Sequence, residues 1–290
     1  MPRAIVILTL TGAAIAALIW TGADVAVARR AALWQRDFQN GLAGALRALR
    51  AGDAGAFAWL MGLAFAYGVV HAAGPGHGKM LIGGYGMAAR VSALRLSVVA
   101  LAASLAQAGT AIALVYGGML VLGYSRTQLT GLAEGAMTTA SAVAIGLIGL
   151  WLIVRGLRRA LHHRSDDARH GADCGCGHAH APSAESVAGA RGLRDILALI
   201  GAVAMRPCTG ALLLLVLTWQ MGIPAAGIAG TLAMALGTGA VTVVVAVLAA
   251  FAREGALRSA AGGSALRGLM PIMEISAGGF IALISLQMLG

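Results

Sequence analysis

Residues 56–79 read AFAWLMGLAFAYGVVHAAGPGHGK. The run up to Ala73 is apolar and approaches the roughly 20 residues that a bilayer crossing requires. It then breaks at Gly74, Pro75 and Gly76, with His71, His77 and Lys79 around the break. Proline opens the backbone hydrogen bonding of a helix, and lipid tolerates such an opening only where the freed groups face protein or a cavity. A second break, AMRPCTGA at 204–211, interrupts the apolar run that begins near residue 196. These two interruptions organise the rest of the chain.

Of the 290 residues 59% are hydrophobic and 11% charged. Soluble domains carry about a quarter charged residues, so a soluble enzyme is excluded. The 42 glycines and 5% aromatics suit close helix packing in lipid and exclude a barrel with aromatic girdles. The expected fold is all-α and polytopic. Candidate spans lie at 4–22, 56–76, 96–122, 131–154, 196–221, 223–251 and 269–289, six core helices plus one N-terminal hydrophobic segment.

Residues 1–28 read as a transmembrane helix or, given Ala26-Val27-Ala28, as a signal segment. Residues 29–55 form an amphipathic extracytoplasmic segment, with Leu33, Trp34, Phe38, Leu42, Leu46 and Leu49 at helical spacing, and are expected to lie along the outer membrane surface. Two three-helix units, 56–155 and 195–290, flank a polar segment, 156–194. From His162 to Gly192 that segment has no apolar periodicity and is expected to be flexible. Three crossings reverse the chain's sense, so the second unit enters inverted, as in inverted-repeat transporters with broken helices.

The net charge of +10 does not point to nucleic acid, because the basic residues sit between apolar runs. Fourteen Lys and Arg fall on one side of a seven-span path and six on the other. The richer side, which holds the central loop, is expected to be cytoplasmic.

His71 and His77 would lie about 240° and about 9 Å apart on an unbroken helix. The intervening Gly-Pro-Gly allows both imidazoles to converge and frees carbonyls of residues 71–74 to face a cation at a helix C-terminus. Imidazole favours Ni, Co, Zn and Cu over Mg or Ca. Gly78 belongs to the same turn, and Lys79 either weakens the hold on an ion by repulsion or snorkels to the surface. At the second break stand Arg206, Pro207, Cys208 and Thr209; Cys208 is either a soft ligand or a small buried hydrophobe. Arg206 is expected to meet exposed carbonyls or an acid such as Glu274. Thr238 and Thr242 are intramembrane hydroxyls, and Glu274 is an acid near the start of the last span. In the loop, Cys174, Cys176, His178 and His180 put four N and S ligands into seven residues, a metal-binding pattern. No nucleotide-binding motif is present, so an ion gradient, a proton among the candidates, or a partner would drive any transport.

HAAGPGHGK, RPCTGALLLLV, MALGTGAVT at 234–242 and the histidine-bearing loop together resemble the nickel/cobalt transporter family of NicO type, which includes bacterial nickel and cobalt efflux proteins. The resemblance covers about residues 56–289. It implies a non-enzymatic inner-membrane permease with Ni2+ or Co2+ as substrate, Zn2+ or Cu being compatible with the same ligands, and no tightly bound cofactor. The family's first motif maps onto His71, Pro75, His77, Gly78 and Lys79, and its PC motif onto Pro207 and Cys208. Import, export and homo-oligomerisation are all compatible with the sequence. The alternative is a membrane thiol/disulfide relay built on Cys208, which needs a second intramembrane cysteine.

Overall fold

The computed structural model describes residues 23–74, 77–89, 91–167, 184–259 and 263–289. The expected first span, 4–22, lies outside them. Among the described residues the regular structure is entirely helical. In chain order the helices are α1 (Ala23–Ala51), α2 (Ala56–Ala73), α3 (His77–Ala88) and α4 (Ala93–Ile112), the last continuing through a π turn (Ala113–Gly117) to Val121. Then α5 runs from Arg126 through a π turn (Ala133–Met137) to Asp167, followed by α6 (Ala184–Ala204), α7 (Thr209–Gln220), α8 (Pro224–Ser259) and α9 (Gly263–Leu289).

Local chemistry explains the boundaries. Ser92 accepts from the Arg95 amide (3.3 Å) and starts α4, while Ser125 and Gln128 form a capping box at the start of α5. Gly222, at φ 73°, ends α7 in the left-handed region, and Pro224 then occupies the first turn of α8, where its missing N–H costs nothing.

Among the described residues five helices are long and apolar enough to cross a membrane: Ala56–Ala73, Ala93–Val121, Arg126–Leu161, Pro224–Arg258 and Met270–Leu289. A bent pair, Leu193–Ala204 with Thr209–Gln220, its halves inclined by 61°, is long and apolar enough to make a sixth when counted as one broken span. Outward-facing Leu94, Leu120, Val244, Leu248 and Leu286 are each more than half exposed, a surface suited to lipid and unsuited to water.

Helices from before and after residues 168–183 pack against one another. α8 lies against α2, α3 and α4, α5 lies along α9, and α4 lies against α6. Glycine sets the closest approaches. A Cβ built on Gly68 would fall 2.0 Å from the Met234 carbonyl oxygen, and one on Gly237 2.1 Å from that of Phe65. Gly149 and Gly278 do the same between α5 and α9, where a Cβ on Gly278 would meet the Gly149 oxygen at 2.6 Å. Small residues give backbone contact in lipid, where no hydrophobic drive between helices operates.

One expectation is corrected here. The apolar side of α1 is not free to lie on lipid: Leu42, Ala45 and Leu46 are buried in the core. Gly41 meets Leu63, Gln39 meets Tyr67 and Gln35 meets His71, so α1 descends antiparallel along α2. Among the described side chains of that side, Leu33 and Trp34 are the ones more than half exposed. Helix enters the segment 156–194 from both ends, α5 continuing to Asp167 and α6 beginning at Ala184; runs containing Arg, Leu, Ala and Glu favour helix.

Replacing Gly68 by Ala is expected to lower the thermal stability of the detergent-solubilised protein by roughly 1–3 kcal/mol, the range for overpacking. Gly109, whose Cβ would meet nothing within 4 Å, should accept Ala without loss. Equal melting temperatures for the two variants would contradict this packing.

Candidate functional site

Both helix breaks open onto one cavity of about 240 Å3. It lies halfway along α4, at Ala103, Ser104 and Gln107, and halfway along α8, at Thr238 and Thr242. An apolar layer flanks it on each side. Tyr67, Val115, Leu212, Leu215 and Met234 belong to one layer, and Leu81, Leu96, Leu152 and Leu199 to the other. Since liquid water occupies about 30 Å3 per molecule, the cavity has room for an ion with several waters of hydration.

At the first break, His71 stands in the last turn of α2 and stacks on Tyr67, one turn earlier, with ring centroids 5.8 Å apart and planes 8° apart. Gln35 of α1 approaches His71 Nδ1 with its amide nitrogen at 3.1 Å, and the amide of Gln39 donates to the Tyr67 hydroxyl at 3.5 Å. The two ends of a carboxamide have nearly the same shape. With the Gln35 oxygen turned toward the ring, Nδ1–H donates to it and Nε2 keeps a free lone pair, the arrangement of a metal-ligating histidine.

Lys79 does not snorkel. Its ammonium turns back across the break and donates to the carbonyls of Ala72 (2.6 Å), Ala73 (3.2 Å) and Gly74. The carbonyls that the sequence leaves free for a cation thus hold the protein's own cation. The cause is electrostatic, since the negative end of α2 lies within reach of the four-carbon stem.

At the second break Pro207 supplies no N–H, and the helix resumes at Thr209 with Cys208 as its N-cap residue. Gln107 of α4 donates its amide to the freed Arg206 carbonyl. Cys208 Sγ lies 3.7 Å from Met234 Sδ, which places a thioether beside the thiol.

The hydroxyls of the lining share one property. Ser104 donates to the Ala100 carbonyl (3.1 Å) and Ser141 to that of Ala202 (2.7 Å). Thr238 is placed to donate to Met234 (3.1 Å) or Gly68 (3.3 Å), and Thr242 donates to Thr238 (2.8 Å). A hydroxyl whose proton is engaged by a carbonyl presents only lone pairs elsewhere. The cavity wall is therefore acceptor-rich although Lys79 and Arg206 also line it.

Of the expected residues, His71, Gly78, Lys79, Arg206, Pro207, Cys208, Thr209, Thr238 and Thr242 all line this cavity. Pro75, Gly76, the side chain of His77, and Cys174, Cys176, His178 and His180 lie outside the described residues. Among the described residues no three His, Cys, Asp or Glu side chains gather into a metal-sized group. Glu274 is not part of the lining and does not pair with Arg206. It is fully buried between α5 and α9, 3.0 Å from Arg155 and 2.5 Å from Arg159. Its position explains the difference: both arginines stand on the helix against which α9 packs, one turn apart. The sequence reading missed Gln35, Gln39, Tyr67 and Met234. The i, i+4 spacing of Gln35 and Gln39 on an amphipathic helix was the available signal. A smaller hollow of about 190 Å3, lined by Gln39, Arg126, Thr130, Glu134 and Leu212 among others, shares Thr209 with the cavity.

Comparison with known proteins agrees with the motifs. The model of the NicO family, described as High-affinity nickel-transport protein, matches residues 57–176. A protein of Haemophilus influenzae named for a nickel/cobalt efflux system is 30% identical over 246 residues, covering 78% of this chain and 76% of that protein. No solved structure matches the chain. With breaks, cavity lining and relatives in agreement, the chain belongs to the NicO family of nickel/cobalt transporters.

Proposed function

We propose that this chain is an inner-membrane permease for divalent transition-metal cations, nickel or cobalt above all, whose path runs through the cavity between the two helix breaks. The observation that carries the reading is the convergence of His71, Cys208 and four proton-engaged hydroxyls on one mid-helix cavity. Imidazole and sulfur donors favour Ni2+, Co2+, Zn2+ and Cu over Mg2+. Carbonyl and hydroxyl oxygens replace part of a hydration shell, and the positive charges of Lys79 and Arg206 oppose tight retention. Passage needs binding strong enough for entry and weak enough for release.

The units 56–155 and 195–290 act as inverted repeats in this reading. Its support is the pairing of elements: the first helix of each unit lies against the second helix of the other, the two second helices meet, and the two third helices meet. Segment 156–194 faces the cytoplasm, and Cys174, Cys176, His178 and His180 collect metal near the mouth. The thiol-relay alternative draws no support from Cys208, whose described sulfur neighbour is Met234.

In proteoliposomes with Ni2+ or Co2+ gradients of either direction, His71→Ala and His77→Ala are each expected to reduce flux to the rate of protein-free vesicles while the protein still inserts. Normal flux through both variants would overturn the site. Deleting Cys174 to His180 is expected to slow transport at low metal and to leave saturating flux largely intact, because a short ligand cluster raises local supply without forming the path. Loss of saturating flux would make the segment part of the gate. A single cysteine introduced into the loop of a cysteine-free variant should resist an impermeant thiol reagent in intact cells, whereas rapid labelling would invert the orientation.

A further inference from the structure

Of the 21 Lys and Arg residues in the chain, Lys79 is the single lysine. It stands where α3 begins, on the far side of the break from the carbonyls it contacts, so seat and occupant belong to different helices. An ammonium is a compact, strongly hydrated point charge with three donors, whereas a guanidinium is a planar fork. Three carbonyls converging at a helix C-terminus suit the ammonium, and they suit a small metal cation for the same reason. Among the described residues the cavity lining contains a second cation, Arg206, and no carboxylate. An entering ion and the ammonium cannot share one seat without strong repulsion.

We propose that Lys79 is a tethered occupant of the cation seat, expelled by the transported ion and returning behind it, so that passage is an exchange between ion and ammonium. The inference rests on reading the cavity as the ion site. The exchange keeps the carbonyls of Ala72, Ala73 and Gly74 satisfied between passages, and the returning ammonium hastens release. It also selects. A cation bound by oxygens alone gains little over the ammonium it must displace, whereas one that also takes the His71 imidazole gains a further bond that Na+, K+ and Mg2+ use poorly.

Two measurements test this. Lys79→Gln keeps N–H donors for the carbonyls but removes the charge, and Lys79→Arg keeps the charge. In proteoliposomes Lys79→Gln is expected to lower the half-saturating Ni2+ concentration by roughly tenfold or more, a conservative figure for removing a unit charge a few ångströms from the seat. Its maximal rate should fall as well, while Lys79→Arg stays near the unmodified half-saturation. A purely structural cap would leave half-saturation unchanged in Lys79→Gln and would overturn the proposal. The second measurement uses the unmodified protein, so it stands even if Lys79→Gln does not insert. Acylation of the single lysine by a membrane-permeant amine reagent, read by peptide mass spectrometry, should quicken several-fold when Ni2+ saturates the protein and not when Mg2+ is added. An unchanged or slower rate with Ni2+ overturns the exchange. Absence of Ni2+ and Co2+ flux in the unmodified protein would remove the ion-site reading and this inference with it. Flux with unchanged half-saturation and labelling would remove this inference alone.

Discussion

A carbonyl freed inside a bilayer has no water to turn to, and this constraint shapes the centre of the molecule. Each break leaves carbonyls without their helical partners, and in each case a side chain answers: Lys79 at the end of α2 and Gln107 at Arg206. Leaving one such group bare costs about 1–3 kcal/mol, so the breaks persist only because these donors are in place. The same donors concentrate polarity at one depth. Everything the cavity can do chemically follows from that concentration.

The surrounding helices hold the depth constant. Backbone contact at Gly68 and Gly237 registers α2 against α8, so that Thr238 also reaches the Gly68 carbonyl. Farther along, the buried Arg253 of α8 donates to the carbonyls of Gly86 and Ala89 and secures the end of α3. Cations thus meet the C-termini of both α2 and α3, as the helix dipole favours. On the other side of the bundle, Glu274 with Arg155 and Arg159 joins α9 to α5. The Glu274 carboxylate is buried while Arg155 is partly and Arg159 largely exposed, and the cavity is not part of the cluster, which assigns it to holding α5 and α9 together.

Much of this was legible in the residues themselves. Apolar runs mark spans because lipid demands length and hydrophobicity together, and the six expected core spans fall on the five apolar helices and the bent pair, with ends displaced by up to seven residues. Pro207 marked a break because a missing N–H inside an apolar run has few other uses. What stayed hidden depended on distant partners. An amphipathic pattern states that α1 has an apolar side, and it is the same pattern whether that side meets lipid or α2. The direction taken by the Lys79 stem depends on where bare carbonyls come to lie. Glu274 is more than 100 residues from Arg155 and Arg159, and only the packing of α5 on α9 brings them together.

On the proposed path the permeating ion meets protein nitrogen halfway along the helices, at His71. X-ray absorption at the nickel edge tests this, on Ni2+-loaded protein lacking residues 168–183 so that Cys174, Cys176, His178 and His180 contribute nothing. The account predicts a first shell of oxygen and nitrogen with the outer-shell scattering of imidazole, which His71→Ala diminishes. A spectrum of hydrated nickel, or one unchanged by His71→Ala, would contradict it.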